Sequence, residues 1–531
     1  MKMNIFSSLL TLSLLAGGFT SCEQPYEPEQ KDWEGTTEFY NSTDEKQSTT
    51  YYKPYAGYVG DPMPFYDEQS KSFKILYLQE YRPNPVGTYH PFWGLETTDA
   101  ASYTALGEIL PTGALAEQDA ALGTGCVAYN DADRLYYIFY TGNKHQPKAG
   151  EDAQVIMYAT SPDFKTWTKN QLFRLRGAAN GYSSSDFRDP CIFRDGDLWH
   201  MIVSTKVGGK GNLVEFTSPD MQEWTSAGVF MPMMWDRFYE CPDVFRMGDW
   251  WYLVYSEIHK AVRRVQYFKG RTLDELKACT AGDAGLWPDD HEGFLDSRGL
   301  YAGKTASDGT NRYLWGWCPT REGRDNTKTN ADSGEPEWAG SLVAHRLIQH
   351  DDGTLTLGEI EAVKAKYTGK QDVRTMTQSE AGVTIADGTY TLGENSYVLF
   401  NRLGYHNHLT MTVKTAAAGD RFGISLVRGT DSKKYYTLMV NPEGDTKRKI
   451  NFEQEGEEGI GFIPAIDSYV FNTPADNIYH IDIYTDNSVL VMYINDCLCY
   501  TNRIYGMARN CWSANSYNGQ IEISDIQLTQ Y

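Results

Sequence analysis

Long apolar runs are scarce. After the first twenty residues no stretch is long enough to cross a bilayer as a helix, and mean hydropathy is −0.51. No segment carries apolar residues at a convincing helical period, which argues against a helical architecture. Basic charge is in deficit: 48 Lys and Arg face 70 Asp and Glu, a formal net charge of −22. That balance excludes the basic surface a nucleic acid demands and disfavours polyanionic substrates, leaving neutral ligands. Cysteine is sparse, at 9 in 531 residues, and the one close pair, Cys497-x-Cys499, has a gap that fits no common zinc pattern. Cys126, Cys191, Cys241 and Cys318 sit in apolar strand contexts and read as buried thiols.

The one apolar run is N-terminal. Lys2 precedes an apolar stretch from Phe6 to Leu15 and then small residues, the pattern of a secretory signal over residues 1–21. Its end, Leu15-Ala-Gly-Gly-Phe-Thr-Ser-Cys22, resembles a bacterial lipoprotein processing site with Cys22 as the lipidated residue, although Phe19 stands where such sites usually have Leu. Ordinary cleavage with a free Cys22 is the alternative. Residues 22–49, acidic and rich in Pro and Gln, read as a tether. These features imply export and a lipid-anchored position, at the outer membrane or cell surface or in the periplasm. The lipid would be the only membrane contact, and a glycan-uptake complex is a candidate partner.

Aromatics are abundant, with 37 Tyr and 13 Trp, as suits strands or faces that stack on sugar rings. Five strand-like runs begin at Phe73, Leu135, Leu198, Trp250 and Arg312, separated by steps of 62, 63, 52 and 62 residues. A second marker, Ser161-Pro-Asp-Phe-Lys-Thr-Trp167, returns 57 residues later as Ser218-Pro-Asp-Met-Gln-Glu-Trp224, with a weaker copy at Thr98–Tyr103. Strands recurring at this period predict an all-β, five-bladed β-propeller over residues 50–363.

A third marker precedes three of those runs. Asp61-Pro-Met-Pro-Phe65, Asp189-Pro-Cys-Ile-Phe193 and Cys241-Pro-Asp-Val-Phe245 share Pro-x-x-Phe, with Asp61, Asp189 or Glu240 one or two residues before the proline. Equivalent positions in successive blades point alike, so the three carboxylates are expected to converge at one mouth of the central channel. Asp also marks turns, the competing reading. Glu240 lies between aromatics and a cysteine, where apolar surroundings would keep a carboxyl protonated.

After Glu359 the markers vanish. Residues 364–380 read as a linker, and the short alternating runs over 381–531 predict an antiparallel β-sandwich that braces the propeller or binds sugar.

Together these motifs resemble family 32 glycoside hydrolases, the group of invertases, inulinases and levanases. Phe187-Arg-Asp-Pro190 is similar to the family's Arg-Asp-Pro motif and Glu240-Cys-Pro-Asp243 to its Glu-Cys motif. Weaker likenesses lie at Trp93-Gly94, Gly123-Thr-Gly-Cys126, Leu300-Tyr-Ala302 and Trp338-Ala-Gly340 with Arg346. The nucleophile motif departs: the family's Trp-x-Asn-Asp-Pro-Asn-Gly is Tyr58-Val-Gly-Asp-Pro-Met-Pro64, so both Asn flanking Asp61 are lost. The resemblance implies a five-bladed propeller followed by a β-sandwich. It also implies a retaining glycosidase cleaving fructosyl linkages in levan, inulin or sucrose-type oligosaccharides. Asp61 would be the nucleophile, Glu240 the acid and then base, and Asp189 the transition-state stabiliser that binds sugar hydroxyls. Arg188 is expected to hold Asp189 ionised, or to form a structural ion pair. Gln79, Trp93, Tyr301, Trp317 and Trp338 are candidates for the pocket wall. The chemistry requires no metal or cofactor. A surface glycan-binding propeller without turnover is the competing function.

Overall fold

The computed structural model describes residues 50–54, 57–81, 89–232, 238–259, 262–279, 294–321, 326, 338–428, 435–444, 446–455, 467–495 and 498–531. The expected signal, Cys22, the tether and Cys497 lie outside them, as do parts of the loops near 82–88 and 322–337.

Strands dominate, and the first twenty fall into five antiparallel blades, one of them, the two-residue Leu175–Arg176, pairing with the third strand of blade 2 beside the strands given below. Blade 1 comprises Tyr58–Asp67, Ser72–Glu80, Phe92–Thr97 and Thr104–Leu110. Blade 2 comprises Ala121–Asn130, Leu135–Asn143, Gln154–Ser161 and Thr168–Lys169. Blade 3 holds Phe187–Asp195, Leu198–Val207, Lys210–Ser218 and Thr225–Pro232, and blade 4 holds Glu240–Met247, Trp250–His259 and Val262–Gly270. Blade 5 is Tyr301–Ser307, Arg312–Pro319, Gly340–Gln349 and Leu355–Gly358.

The first strand of each blade packs against the first strands of both neighbours, and that cycle closes the ring. The runs that signalled the repeat are the second strands. They read as continuous apolar stretches because both faces are covered; every residue of Ser72–Glu80 is buried. The fourth strand of blade 3, Thr225–Pro232, instead alternates in exposure over its first half.

The Ser-Pro-Asp-x-x-x-Trp marker is a turn leaving the third strand. Asp163 accepts from the amides of Lys165 and Thr166, while Trp167 Nε1 donates to Phe164 O. Asp220 and Trp224 repeat this arrangement, and Asp99 with Tyr103 repeats it in blade 1. A left-handed residue sits at the same place in each copy: Ala100, Phe164 and Met221.

The sandwich packs two antiparallel sheets around one apolar core that includes Phe400, Leu409, Ile483 and Trp512. Residues 364–380, expected as a linker, do more than connect. Gly369–Gln371 pairs with Ile521–Gln530 in one sheet, and Thr375–Gln378 with Ser396–Arg402 in the other. Polar composition suits them to these exposed edge positions, which is why they read as linker.

The two domains share one apolar cluster, in which Leu295, Leu300 and Leu342 of the propeller meet Tyr484, Val491 and Tyr493 of the sandwich. Arg503 crosses this seam fully buried. Its Nε donates to Pro319 O at 2.7 Å, and one terminal nitrogen to Cys318 O at 2.9 Å and Ser341 Oγ at 3.0 Å. Removing that guanidinium strands two carbonyls in an apolar seam. Arg503→Leu is therefore expected to cost about 3–5 kcal/mol. Calorimetry should show one unfolding transition in the parent and two in the variant; a single unshifted transition would count against this coupling.

Candidate active site

All five inner strands carry a β-bulge at the same place. The pairing register slips between Gly60 and Met63, Gly123 and Gly125, Arg188 and Cys191, Glu240 and Asp243, and Tyr301 and Lys304. A bulge bends its strand and re-aims the inserted residue. The bulged residues are Asp61, Thr124, Asp189, Cys241 and Ala302, of which four adopt positive φ (20°, 57°, 49° and 54° for Asp61, Asp189, Cys241 and Ala302). Non-glycine residues there cost about 1–2 kcal/mol each, less for Asp, whose short polar side chain tolerates the conformation. In blade 2 Gly125 follows the bulge, and a Cβ there would collide with Phe139 O.

This register separates the three carboxylates into two kinds. Asp61 and Asp189 are themselves bulged residues, whereas Glu240 precedes its bulge and reaches the mouth with a longer side chain. Asp61 is gripped by two donors: Thr124 Oγ1 to Oδ2 at 2.5 Å and Trp317 Nε1 to Oδ1 at 2.9 Å. Asp189 Oδ2 accepts the Cys241 amide at 3.0 Å, and the Asp189 amide donates to Thr141 Oγ1 at 3.0 Å. Glu240 Oε1 pairs with Arg188 at 2.9 Å, and Glu240 Oε2 accepts from the Tyr301 hydroxyl at 2.5 Å.

Burial pushes Asp61 above the usual carboxylate range; its two hydrogen bonds oppose this, and the charge of Glu240 adds to it. Asp189 is pushed up to about 6, first by burial and then by Glu240 and Asp61, with Arg188 opposing. The carboxylates thus lie near enough to perturb one another, which solvated turn residues would not.

One expectation is corrected. Glu240 is not in an apolar niche: its partners are a guanidinium and a phenol, and its side chain keeps 24% exposure. Arg188 forms ion pairs with Glu240 and Asp186 and stacks 4.0 Å from the Phe238 ring; it makes no hydrogen bond to Asp189, but its charge favours the ionised form of that residue.

Among the expected wall residues, Trp317 and Tyr301 touch carboxylates directly. Trp338 stacks on His90 at 4.7 Å and lies 6.0 Å from Trp317, its ring covering Gly60 where the resemblance has Asn. A side chain at Gly60 would collide with that ring. Gln79 is buried one strand behind, in register with Val59. Trp93 is on the third strand of blade 1 and packs into the domain core rather than onto the carboxylates.

Sequence reasoning gave Thr124 no role within the Gly123-Thr-Gly-Cys126 likeness, although it occupies the bulge of blade 2 as Asp61 does in blade 1. It also missed His90, which bonds Glu80 at 2.7 Å and whose charge lowers the Asp61 pKa. A cavity of about 660 Å³ lies downstream of the bulges, between Cys126, Cys191, Asp243, Lys304 and Arg312, and so away from the carboxylate mouth.

A carboxyl with a raised folded pKa binds its proton more tightly when folded, so its ionisation erodes stability as pH rises from about 4 to about 6. Asp189→Asn, whose amide oxygen can still accept from Cys241, is expected to be more stable than the parent at pH 7, by up to about 3 kcal/mol. That gain should fade toward pH 4 in denaturant titrations. A gain independent of pH would contradict the buried-charge account.

Residues 51–358 match the glycosyl hydrolases family 32 N-terminal domain, and residues 353–528 match the GH32, BT1760-like, C-terminal domain. The chain is 25% identical over 369 residues to a beta-fructofuranosidase, insoluble isoenzyme 3, of Oryza sativa subsp. indica, covering 62% of this chain and 60% of that protein. It is 24% identical over 481 residues to the sucrose-6-phosphate hydrolase of Escherichia coli, covering 85% of this chain and 88% of that one. Fructan 1-exohydrolase IIa from Cichorium intybus superposes with a TM-score of 0.68 at 15% identity, over 92% of this chain and 98% of that one. The sucrose-6-phosphate hydrolase from Lactobacillus gasseri gives 0.67 at 16% identity, over 92% and 93%. These neighbours have the five-bladed propeller and C-terminal β-sandwich built above. The chain belongs to glycosyl hydrolase family 32.

Proposed function

We propose that this protein hydrolyses fructosyl linkages of a neutral fructose-containing saccharide with retention of configuration. The observation that carries this reading is the convergence of Asp61, Asp189 and Glu240 on three bulges of one family 32 propeller, each held by its own donors.

In the first half-reaction a carboxylate oxygen of Asp61 attacks the anomeric carbon of the fructosyl unit. The bond to the glycosidic oxygen breaks as Glu240 gives that oxygen its proton, and a fructosyl ester of Asp61 remains. In the second, Glu240 takes a proton from water, the water oxygen bonds the anomeric carbon, and Asp61 leaves as carboxylate. Thr124 and Trp317 aim Asp61 and stabilise its charge; Arg188 and Tyr301 aim Glu240. Asp189, fixed by the Cys241 amide, is placed to accept sugar hydroxyls and to oppose the positive charge of the oxocarbenium-like transition state. The names of the relatives support a fructose-containing substrate, and the acidic surface favours a neutral one. A glycan-binding propeller without turnover is the weaker reading, because it has no use for two separately oriented carboxylates beside a third.

Export and lipidation of Cys22 belong to the same proposal and would place the site outside the cytoplasm. Radiolabelled palmitate should enter the parent but not Cys22→Ala; label retained in that variant would exclude the anchor.

Reducing-sugar release from levan, inulin and sucrose tests the activity. Asp61→Ala and Glu240→Ala should each lower it by about 10³-fold or more while saccharide binding persists. Binding without release by the parent would favour the glycan-binding reading. Thr124→Val removes a bond that lowers the Asp61 pKa, so the acid limb of kcat/KM should move to higher pH. The value at the optimum should fall about tenfold. An unmoved acid limb would show that Thr124 does not act through Asp61.

A further inference from the structure

Behind two of the donors that hold the reacting carboxylates lies a cation that no step above uses. Arg263 is on the third strand of blade 4, Val262–Gly270, and is fully buried. Its guanidinium carbon lies 5.0 Å from the centroid of the Trp317 ring and 5.7 Å from that of Tyr301. The two rings are themselves buried, stand opposite each other on the first two strands of blade 5, and meet edge to face at 5.5 Å. Each carries its polar hydrogen to a different carboxylate. Trp317 Nε1 donates to Asp61 Oδ1 at 2.9 Å, and the Tyr301 hydroxyl donates to Glu240 Oε2 at 2.5 Å. One buried charge thus stands a single ring away from the nucleophile and a single ring away from the acid.

The consequence is polarisation. A cation within about 6 Å of an aromatic centroid attracts the π electrons of that ring. Density drawn toward the guanidinium leaves the indole N–H and the phenol O–H more acidic, and a more acidic donor bonds a carboxylate more strongly. The charge of Arg263 favours the ionised phenol of Tyr301 in the same sense, against the burial and the Glu240 charge that disfavour it. Both carboxylates acquire negative charge during the reaction: Glu240 as it gives up its proton in the first half, Asp61 as it leaves the fructosyl ester in the second. Donors strengthened beforehand stabilise charge where it develops.

We propose that Arg263 is a positioning residue for this reaction: through Trp317 and Tyr301 it strengthens the two hydrogen bonds that stabilise Asp61 and Glu240 as carboxylates. This rests on the hydrolase reading above. Fully buried behind the rings, Arg263 acts through them and not on the sugar.

Two substitutions in the full chain test it. Arg263→Gln removes the charge and keeps hydrogen-bond donors, whereas Arg263→Lys keeps the charge. In hydrolysis of levan, inulin or sucrose, Arg263→Gln should lower kcat about tenfold while KM changes less than about twofold. The acid limb of kcat/KM reports ionisation of Asp61 and the basic limb deprotonation of Glu240, so both should move to higher pH; Arg263→Lys should return both toward the parent. The other titratable groups around the carboxylates, Asp186, Arg188, Asp189, His90, Cys241 and Lys304, are retained in both variants. In a Trp317→Phe background, Arg263→Gln should still move the basic limb but no longer the acid limb. If Arg263→Gln does not fold, Arg263→Met replaces it. A parent inactive on all three saccharides would remove the hydrolase reading, and the coupling is then read from the Trp317 indole proton in isotope-labelled protein, whose resonance should move upfield when the charge is removed. Limbs that stay in place in an active charge-free variant, or an indole resonance that does not move, would overturn the proposal.

Discussion

The structure turns on one backbone irregularity repeated five times. A bulge at the same register of every inner strand divides the channel. At the bulges are Asp61, Thr124 and Asp189, with Glu240 just before its own. Two residues downstream of each bulge come Met63, Cys126, Cys191, Asp243 and Lys304, which line the cavity beyond. The fold itself is near five-fold symmetric, and the chemistry is not. The asymmetry enters through which side chain each bulge carries: a carboxylate in two, a hydroxyl in one, a thiol whose neighbour is Glu240 in one, and a methyl in the last. Four of these residues accept a left-handed backbone, which costs stability wherever it occurs outside glycine.

Electrostatics imposes a second cost at the same place. Three carboxylates share a buried mouth in which Arg188 is the cation paired with one of them, and neutral donors do the rest: Thr124, Trp317, Tyr301 and the Cys241 amide. Burial pushes Asp61 and Asp189 above the usual range, and the charge of Glu240 adds to it, while the neutral donors oppose the shift only in part. Stability is offset elsewhere, by the shared apolar seam and by Arg503 spanning it.

The repeat was legible in the sequence because each blade's second strand is covered on both faces and so becomes a continuous apolar run. The three carboxylates were legible because proline and phenylalanine keep a fixed distance from each bulge. What escaped was set by contacts distant in sequence. Arg188 acts on its neighbour Asp189 through its charge, but its hydrogen bond goes to Glu240, 52 residues away, which the sequence does not show. Thr124 lay within the Gly123-Thr-Gly-Cys126 likeness, but nothing in the sequence tied it to Asp61, 63 residues away. Trp93 looked like a pocket residue on its motif alone, whereas its position on a third strand places it in the core. The segment 364–380 was polar enough to pass for a linker, although two short pieces of it close sheet edges.

The central claim is that Asp61 is the atom-bonding nucleophile and Glu240 the proton carrier. The most direct measurement is mass spectrometry of Glu240→Ala after brief incubation with an activated donor such as a fructosyl fluoride. An activated leaving group departs without an acid, and loss of the base stalls hydrolysis of the ester, so the intermediate should accumulate. One fructosyl unit on the peptide containing Asp61, absent in Asp61→Ala with Glu240→Ala, is the result expected here. No adduct despite turnover of the donor, or an adduct on another residue, would contradict it.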